Sequence, residues 1–214
     1  MPAMASAADA LAKRAVDIIG AALLLLSLGP VALAIGLAIR TRSPGPLLFG
    51  QDREGLLGRP FRILKLRTMY TNAAERLRAH LEENPAAAAE LAQNGCLLED
   101  PRIVGRLGTF ARRYSLDEIP QFWNVLTGDM SLVGPRPLRT VDAEALFNPR
   151  TRRLRLQVRP GLSGLWQVRR SGKSDIMRNV AEIDLLYLRT RSLRLDLWIL
   201  WRTPRAVLSG GGLN

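Results

Sequence analysis

Residues 18–39 read IIGAALLLLSLGPVALAIGLAI, twenty-two residues without a charge. As a helix at 1.5 Å per residue the run reaches roughly 33 Å, enough to cross a bilayer core of ~30 Å. Lys13, Arg14 and Asp17 precede it, and Arg40 and Arg42 come after it. A cleavable leader fits poorly, because the run is long and the residues after it are basic with no small-residue cleavage site. Two forms fit: a simple spanning helix, or a helix–break–helix hairpin that enters and leaves by one face. Pro30 lies near the centre, where it removes a backbone donor and crowds the carbonyl of Leu26. Gly29 adds flexibility, and Ser27 can bond freed backbone groups. Basic residues at both ends suit a hairpin with both ends cytoplasmic. Prolines also occur in ordinary spanning helices, so both forms stand.

The rest of the chain suits one domain with a sizeable core. A net charge of +12, from 31 Lys+Arg against 19 Asp+Glu, favours an anionic partner: nucleic acid, phosphorylated substrate or anionic lipid. Aromatic residues are 6% of the chain, and no RNA-binding aromatic motif or helix-turn-helix signature is present, so no nucleic-acid partner is expected. A single cysteine, Cys96, excludes an intrachain disulfide framework and a multi-cysteine zinc site, and suits a reducing cytosolic face. The lone His80 sits in a charged helical stretch as a solvated residue, which argues against a histidine-based triad.

The expected fold is α+β and predominantly helical. Residues 1–42 are expected to form a membrane-embedded re-entrant helix–break–helix, and 43–214 a cytoplasmic catalytic domain with a small β-hairpin and interfacial amphipathic helices. Ser43-Pro44-Gly45-Pro46 is a turn-rich exit from the membrane. Leu47–Asp52 and Phe61–Thr68 read as a small β-hairpin around a Gly55–Pro60 turn. Asn72–Glu83 reads as a helix with Ala73, Leu77 and Leu81 on one stripe, and Pro85 opens a second helix ended by Asn94-Gly95. Ser192–Leu208 interleaves Leu, Trp and Arg, as suits either a helix in the headgroup region or an amphipathic helix packed on the core. Asp184 and Tyr187 lie about one turn apart and are either a site wall or a packing pair.

Chemistry concentrates at Asp117-Glu118, which lies between Arg112-Arg113 and Pro135-Arg136-Pro137. Ser115-Leu116-Asp117-Glu118 matches a capping box, with Ser115 as N-cap and Glu118 as the reciprocal acid. The same pair suits catalysis. An ionised carboxylate is a nucleophile, two adjacent acids can help hold Mg²⁺, and arginines neutralise charge that develops on a phosphate. Lys65, Arg67, Arg112, Arg113 and Arg136 are the basic candidates. Two fixed φ angles in Pro135-Arg136-Pro137 hold Arg136 stiffly. A membrane-anchored nucleic-acid binder or an inert scaffold would leave the acidic pair unexplained.

From Lys13 to Thr203 the chain resembles the bacterial sugar transferases, specifically the small monotopic phosphoglycosyl transferases. The resemblance rests on the ordered set Ser43–Pro46, Gln51–Gly58, Phe61–Met69, Ser115–Gln121, Gly128–Pro137 (GDMSLVGPRP) and Arg159–Gly164 (RPGLSG). It implies transfer of a phosphosugar from a UDP-sugar to a membrane polyprenyl phosphate with release of UMP, the first membrane step of glycoconjugate assembly. It further implies Asp117 as the nucleophile of a covalent phosphosugar intermediate, and Glu118 as its dyad partner, which helps with a Mg²⁺ cofactor held by the pair or with proton transfer. Lys65, Arg112 and Arg136 match basic active-site positions. Arg67, Pro135 and Pro137 belong to the same motifs and complete the expected phosphate and nucleotide site. The implied location is the cytoplasmic face of the bacterial inner membrane. The family's membrane helix is re-entrant, broken at a Ser-Pro pair; here Gly29-Pro30 stands there, with the serine two places earlier at Ser27. The spacing from Asp100 to Glu118 is one residue longer than the usual pattern.

Overall fold

The apolar run forms the middle of one helix, α1 (Ala7–Arg42), in a computed structural model that describes residues 7–169 and 173–209. Helical conformation continues through Ser27, Gly29 and Pro30, where the sequence suggested a break between two helices. One missing donor weakens a ladder without ending it. The Ser27 hydroxyl donates to the carbonyls of Leu23 (2.8 Å) and Leu24 (3.2 Å), the back-bonding that relaxes a helix at such a point.

Both ends of α1 are held by the same body. Near its start, Lys13 donates to Asp196 (2.7 Å) and to the Val133 carbonyl (3.2 Å). Arg14 donates to the carbonyls of Val125 (2.7 Å) and Leu126 (3.0 Å). The buried Asp17 accepts from the Ser131 hydroxyl and the Leu132 amide, both at 3.0 Å. Towards its end, Gly36 lies against Leu66 and Leu47, and Ile39 is fully buried. Between the two ends, Leu23, Leu26 and Leu33 are exposed.

The hairpin is present as β1 (Leu48–Glu54) paired antiparallel with β2 (Pro60–Leu66), with Phe49 opposite Lys65. Helices α2 (Ala73–Glu83) and α3 (Pro85–Asn94) come after it; Asn84 caps the second by accepting from the Ala87 amide, and Gly95 ends it at φ 69°. Next come α4 (Gly105–Arg113), a single 3₁₀ turn (Leu116–Glu118) and α5 (Gln121–Thr127). Strand β3 (Ser131–Val133), α6 (Thr140–Leu146), α7 (Pro149–Arg155), β4 (Gly161–Ser163) and α8 (Leu165–Val168) lead to α9 (Lys173–Thr190) and α10 (Leu193–Leu208).

No local pattern announces the β3–β4 pair, which is parallel and joined across α6 and α7. It binds the GDMSLVGPRP and RPGLSG segments together through Ser131 N–H to Pro160 O, Gly134 N–H to Ser163 O and Gly161 N–H to Pro135 O. The strands approach so closely that a Cβ on Gly134 would sit 2.5 Å from the Arg159 carbonyl oxygen. Only glycine fits that gap.

One core cluster joins Ala21 and Ala32 of α1 to Phe61, Ile63 and Leu66 of β2, Phe122 and Val125 of α5, Leu132, Tyr187 and Ile199. A satellite gathers Leu138, Ala143, Phe147, Trp166 and Val180. The last helix is amphipathic and packs on the core along one face only. Asp196 and Ile199 are buried against the body, while Trp201 is 75% exposed and Arg202 lies over the rings of Trp198 and Trp201.

Candidate active site

Three elements converge on the acidic pair. The 3₁₀ turn carries Asp117 and Glu118, β2 carries Lys65, and the loop after β3 carries Arg136. The hairpin is fixed to α5 by Asn124, which accepts from the Leu64 amide and donates to the Arg62 carbonyl, each at 3.0 Å. Lys65 is thereby set within reach of Glu118, and the two pair at 2.8 Å. Asp117, Glu118, Lys65, Arg112, Arg136, Ser115 and Gln167 line one cavity.

The capping box does not form. Ser115 adopts φ 54°, ψ 24° and makes no cap bond, whereas an N-cap requires an extended backbone. Glu118 is committed to Lys65 instead. A left-handed serine directly before the acidic pair is backbone strain of the kind that collects at functional sites. It turns the chain sharply out of α4, so that Arg112 at the helix end and Asp117 face the same cavity.

The two carboxyls are unlike. Asp117 is 6% exposed, and burial, reinforced by the neighbouring Glu118 charge, raises its pKa to about 6 against the pull of Lys65 and Arg112. For Glu118 burial also opposes ionisation, but Lys65, then Arg136 and Arg112, outweigh it and hold the carboxyl below its usual range. Glu118 is thus a fixed charge, and Asp117 an available one.

The basic residues divide. Among the described residues, Arg112 has a buried Nε without a hydrogen-bond partner, and Arg136 lies over the Trp166 ring at 4.6 Å with its fork uncommitted to any carboxylate. Burial lowers the Arg136 pKa, against the pull of Glu118 and Asp184. Arg67 is elsewhere. It is buried and spends its donors on Ser43, the Pro46 carbonyl and the Met69 carbonyl, clamping the turn after α1, so its expected place in the phosphate site is corrected to a structural one. Arg113 is exposed over the Tyr114 ring. Pro135 and Pro137 flank Arg136, and the Pro135 carbonyl is held by the Gly161 amide at 2.8 Å.

Asp184 and Tyr187 diverge from their shared face. The Tyr187 hydroxyl donates to Asp196 (2.9 Å) and locks α9 to α10. Asp184, 1% exposed, pairs with Arg155 at 2.6 Å, and Arg155 donates to the Arg136 carbonyl at 2.6 Å. Burial raises the Asp184 pKa to about 6, opposed by Arg155 and Arg136. A chain from α9 through α7 therefore reaches the backbone of the active-site arginine. Arginine-rich stretches hide Arg155 in the sequence, and Gln167 carried no signal at all.

An apolar groove of about 460 Å³ runs between α1 and the hairpin, walled by Leu25, Gly29, Leu33, Leu48, Leu66 and Trp123. Its wall includes Ile119 and Pro120, the two residues after the acidic pair.

Residues 8–210 match the family model of the bacterial sugar transferase. The chain is 44% identical, over 93% of its length and 70% of the relative's, to a UDP-glucose:undecaprenyl-phosphate glucose-1-phosphate transferase of Caulobacter vibrioides. It is 40% identical to a UDP-galactose-lipid carrier transferase of Erwinia amylovora, over 94% of this chain and 41% of that one. It is 36% identical to the exopolysaccharide production protein ExoY of Sinorhizobium fredii, over 94% and 88% of the two chains. The chain thus spans about two fifths of the Erwinia relative's length. With the family matched from α1 to the end of α10, and a glucose-1-phosphate transferase among its relatives, this transferase belongs to the bacterial sugar transferase family.

Proposed function

We propose that the protein moves a phosphosugar from a UDP-sugar to a polyprenyl phosphate at a membrane face, through a covalent intermediate on Asp117. A carboxylate oxygen of Asp117 attacks the phosphorus that bears the sugar. The bond from that phosphorus to the bridging oxygen breaks, and UMP leaves with the electron pair. An oxygen of the polyprenyl phosphate then attacks the same phosphorus, and the carboxylate of Asp117 departs. Lys65, Arg112 and Arg136 offset the charge on the phosphoryl oxygens, which is the dominant catalytic need in phosphoryl transfer. Two displacements in turn let a soluble donor and a lipid acceptor use one site without meeting.

The observation that carries this reading is a cationic cavity and an apolar groove served by consecutive residues, Glu118 lining the first and Ile119 the second. The cavity suits phosphate, and the groove, built partly from α1, suits an isoprenoid tail. The acceptor has both parts. A helix whose two ends are held by one body suits a re-entrant membrane element, bent near Ser27–Pro30, better than a straight span. Exposed Leu23, Leu26 and Trp201 would then lie in or against the bilayer of the cytoplasmic face.

Mg²⁺ fits the donor set. Repulsion from Glu118 contributes to the raised Asp117 pKa, and a divalent cation would relieve it. Among the described residues no group of three His, Cys, Asp or Glu gathers, so the ion would rest on Asp117, Glu118 and substrate phosphates, the sparse protein ligation that Mg²⁺ accepts. When bound it supplies further charge neutralisation on the phosphates.

Incubating the full chain with a panel of UDP-sugars and Mg²⁺, without acceptor, tests the reading. Intact mass spectrometry is expected to find one phosphosugar added per chain, with UMP released in equal amount. Adding polyprenyl phosphate discharges it. UMP release with no mass gain at any time point, or no UMP from any UDP-sugar, overturns the covalent route or the reaction respectively.

A further inference from the structure

Gln167 lines the cavity of the acidic pair, is 8% exposed, and has no hydrogen-bond partner for its carboxamide among the described residues. Its carboxamide is open to the cavity rather than sealed in the core, and so is placed to meet a ligand there. Its carrier is rigid. The Gln167 amide N–H donates to the Gly164 carbonyl at 2.9 Å, and the adjacent Trp166 is buried with its indole N–H on the Gly134 carbonyl at 3.3 Å. Arg136 lies over that same indole, so the amide and the arginine stand on one support.

The chemistry of the lining separates the tasks. Phosphate oxygens only accept hydrogen bonds, and Lys65, Arg112 and Arg136 already offer cations to them. A carboxamide presents a donor and an acceptor side by side, which complements a hydroxyl that also does both. The sugar is bonded through one oxygen to the phosphorus that Asp117 attacks. The uracil lies beyond a second phosphate and a ribose. The hydroxyl-bearing group nearest the reacting phosphorus is therefore the sugar.

We propose that Gln167 hydrogen-bonds a hydroxyl of the transferred sugar and so helps determine which UDP-sugar is used. This rests on the donor being a UDP-sugar. Gln167→Met keeps length without hydrogen bonding, and Gln167→Asn keeps the amide but withdraws it by one methylene. In the full chain with polyprenyl phosphate and Mg²⁺, kcat/KM for the preferred UDP-sugar is expected to fall about tenfold or more in Gln167→Met. The ratio of UDP-glucose to UDP-galactose, which differ at one hydroxyl, is expected to shift by about fivefold, while inhibition by UDP, which lacks a sugar, stays within about twofold. Gln167→Asn, the milder change, carries the same comparison should Gln167→Met melt early. Equal weakening of UDP and UDP-sugar would place the amide on the nucleotide and overturn the proposal. So would an unchanged sugar ratio in a folded variant. A parent chain that releases no UMP from any UDP-sugar instead removes the reaction on which the proposal stands.

Discussion

The attack proposed for Asp117 requires an ionised carboxylate, and Asp117 sits where ionisation is costly. Burial and Glu118 raise its pKa to about 6, so below that value the proposed nucleophile is lost to protonation. The sign is that of a raised carboxyl: kcat/KM is expected to rise about tenfold per pH unit up to about 6 and level off above, as rates of UMP release across pH will check. Added Mg²⁺ favours the ionised form and is expected to move that limb to lower pH. Asp117→Asn keeps the shape and removes the charge. It is expected to cut turnover roughly 10³-fold or more without lowering the melting temperature, and wild-type turnover in the folded variant excludes the covalent route. The acidic pair was legible because two adjacent acids among arginines are uncommon. The sorting of the arginines was not. Arg67 and Arg112 look alike in sequence, and only burial against Ser43 and Pro46 commits the first to a turn.

At the scale of elements, the hairpin and the two helices after it were legible because their signals are local: alternation, an early proline, a closing glycine. The β3–β4 pair was not, since three-residue parallel strands leave no periodicity and their contact depends on a distant crossover. The Ser115 motif misled for a related reason, because the turn out of α4 takes a left-handed residue that overrides capping preference. The link from Asp184 through Arg155 to the Arg136 backbone gives a prediction at this scale. Asp184→Ala leaves a buried guanidinium without its carboxylate and is expected to cost ~3 kcal/mol by thermal or denaturant unfolding. A loosened Arg136 should also raise KM for the UDP-sugar more than it lowers kcat. Unchanged stability would mean that Arg155 finds another counter-charge.

For the whole molecule, the predominantly helical fold and its long apolar N-terminal helix were legible from composition and one apolar run. The attachment of α1 at both ends was not, because Lys13, Arg14 and Asp17 look like ordinary flanking charges. Single cysteines, Ala8→Cys and Leu98→Cys in a Cys96→Ser background, test topology with a membrane-impermeant thiol reagent. Both are expected to stay unlabelled in intact cells and to label after lysis. Labelling of Ala8→Cys in intact cells would establish a straight span.

Because α1 walls the groove and Asp17 fastens β3, a segment proposed to seat the protein in lipid is also part of the scaffold that holds the candidate site. It is no interchangeable tether. Grafting on a generic spanning helix would keep the protein in the membrane yet strip one side from the lipid channel. Adding a single residue between Ala21 and Ala32 would rotate one anchoring end by about 100° against the other. The apolar helix and the body it braces therefore have to be inherited together.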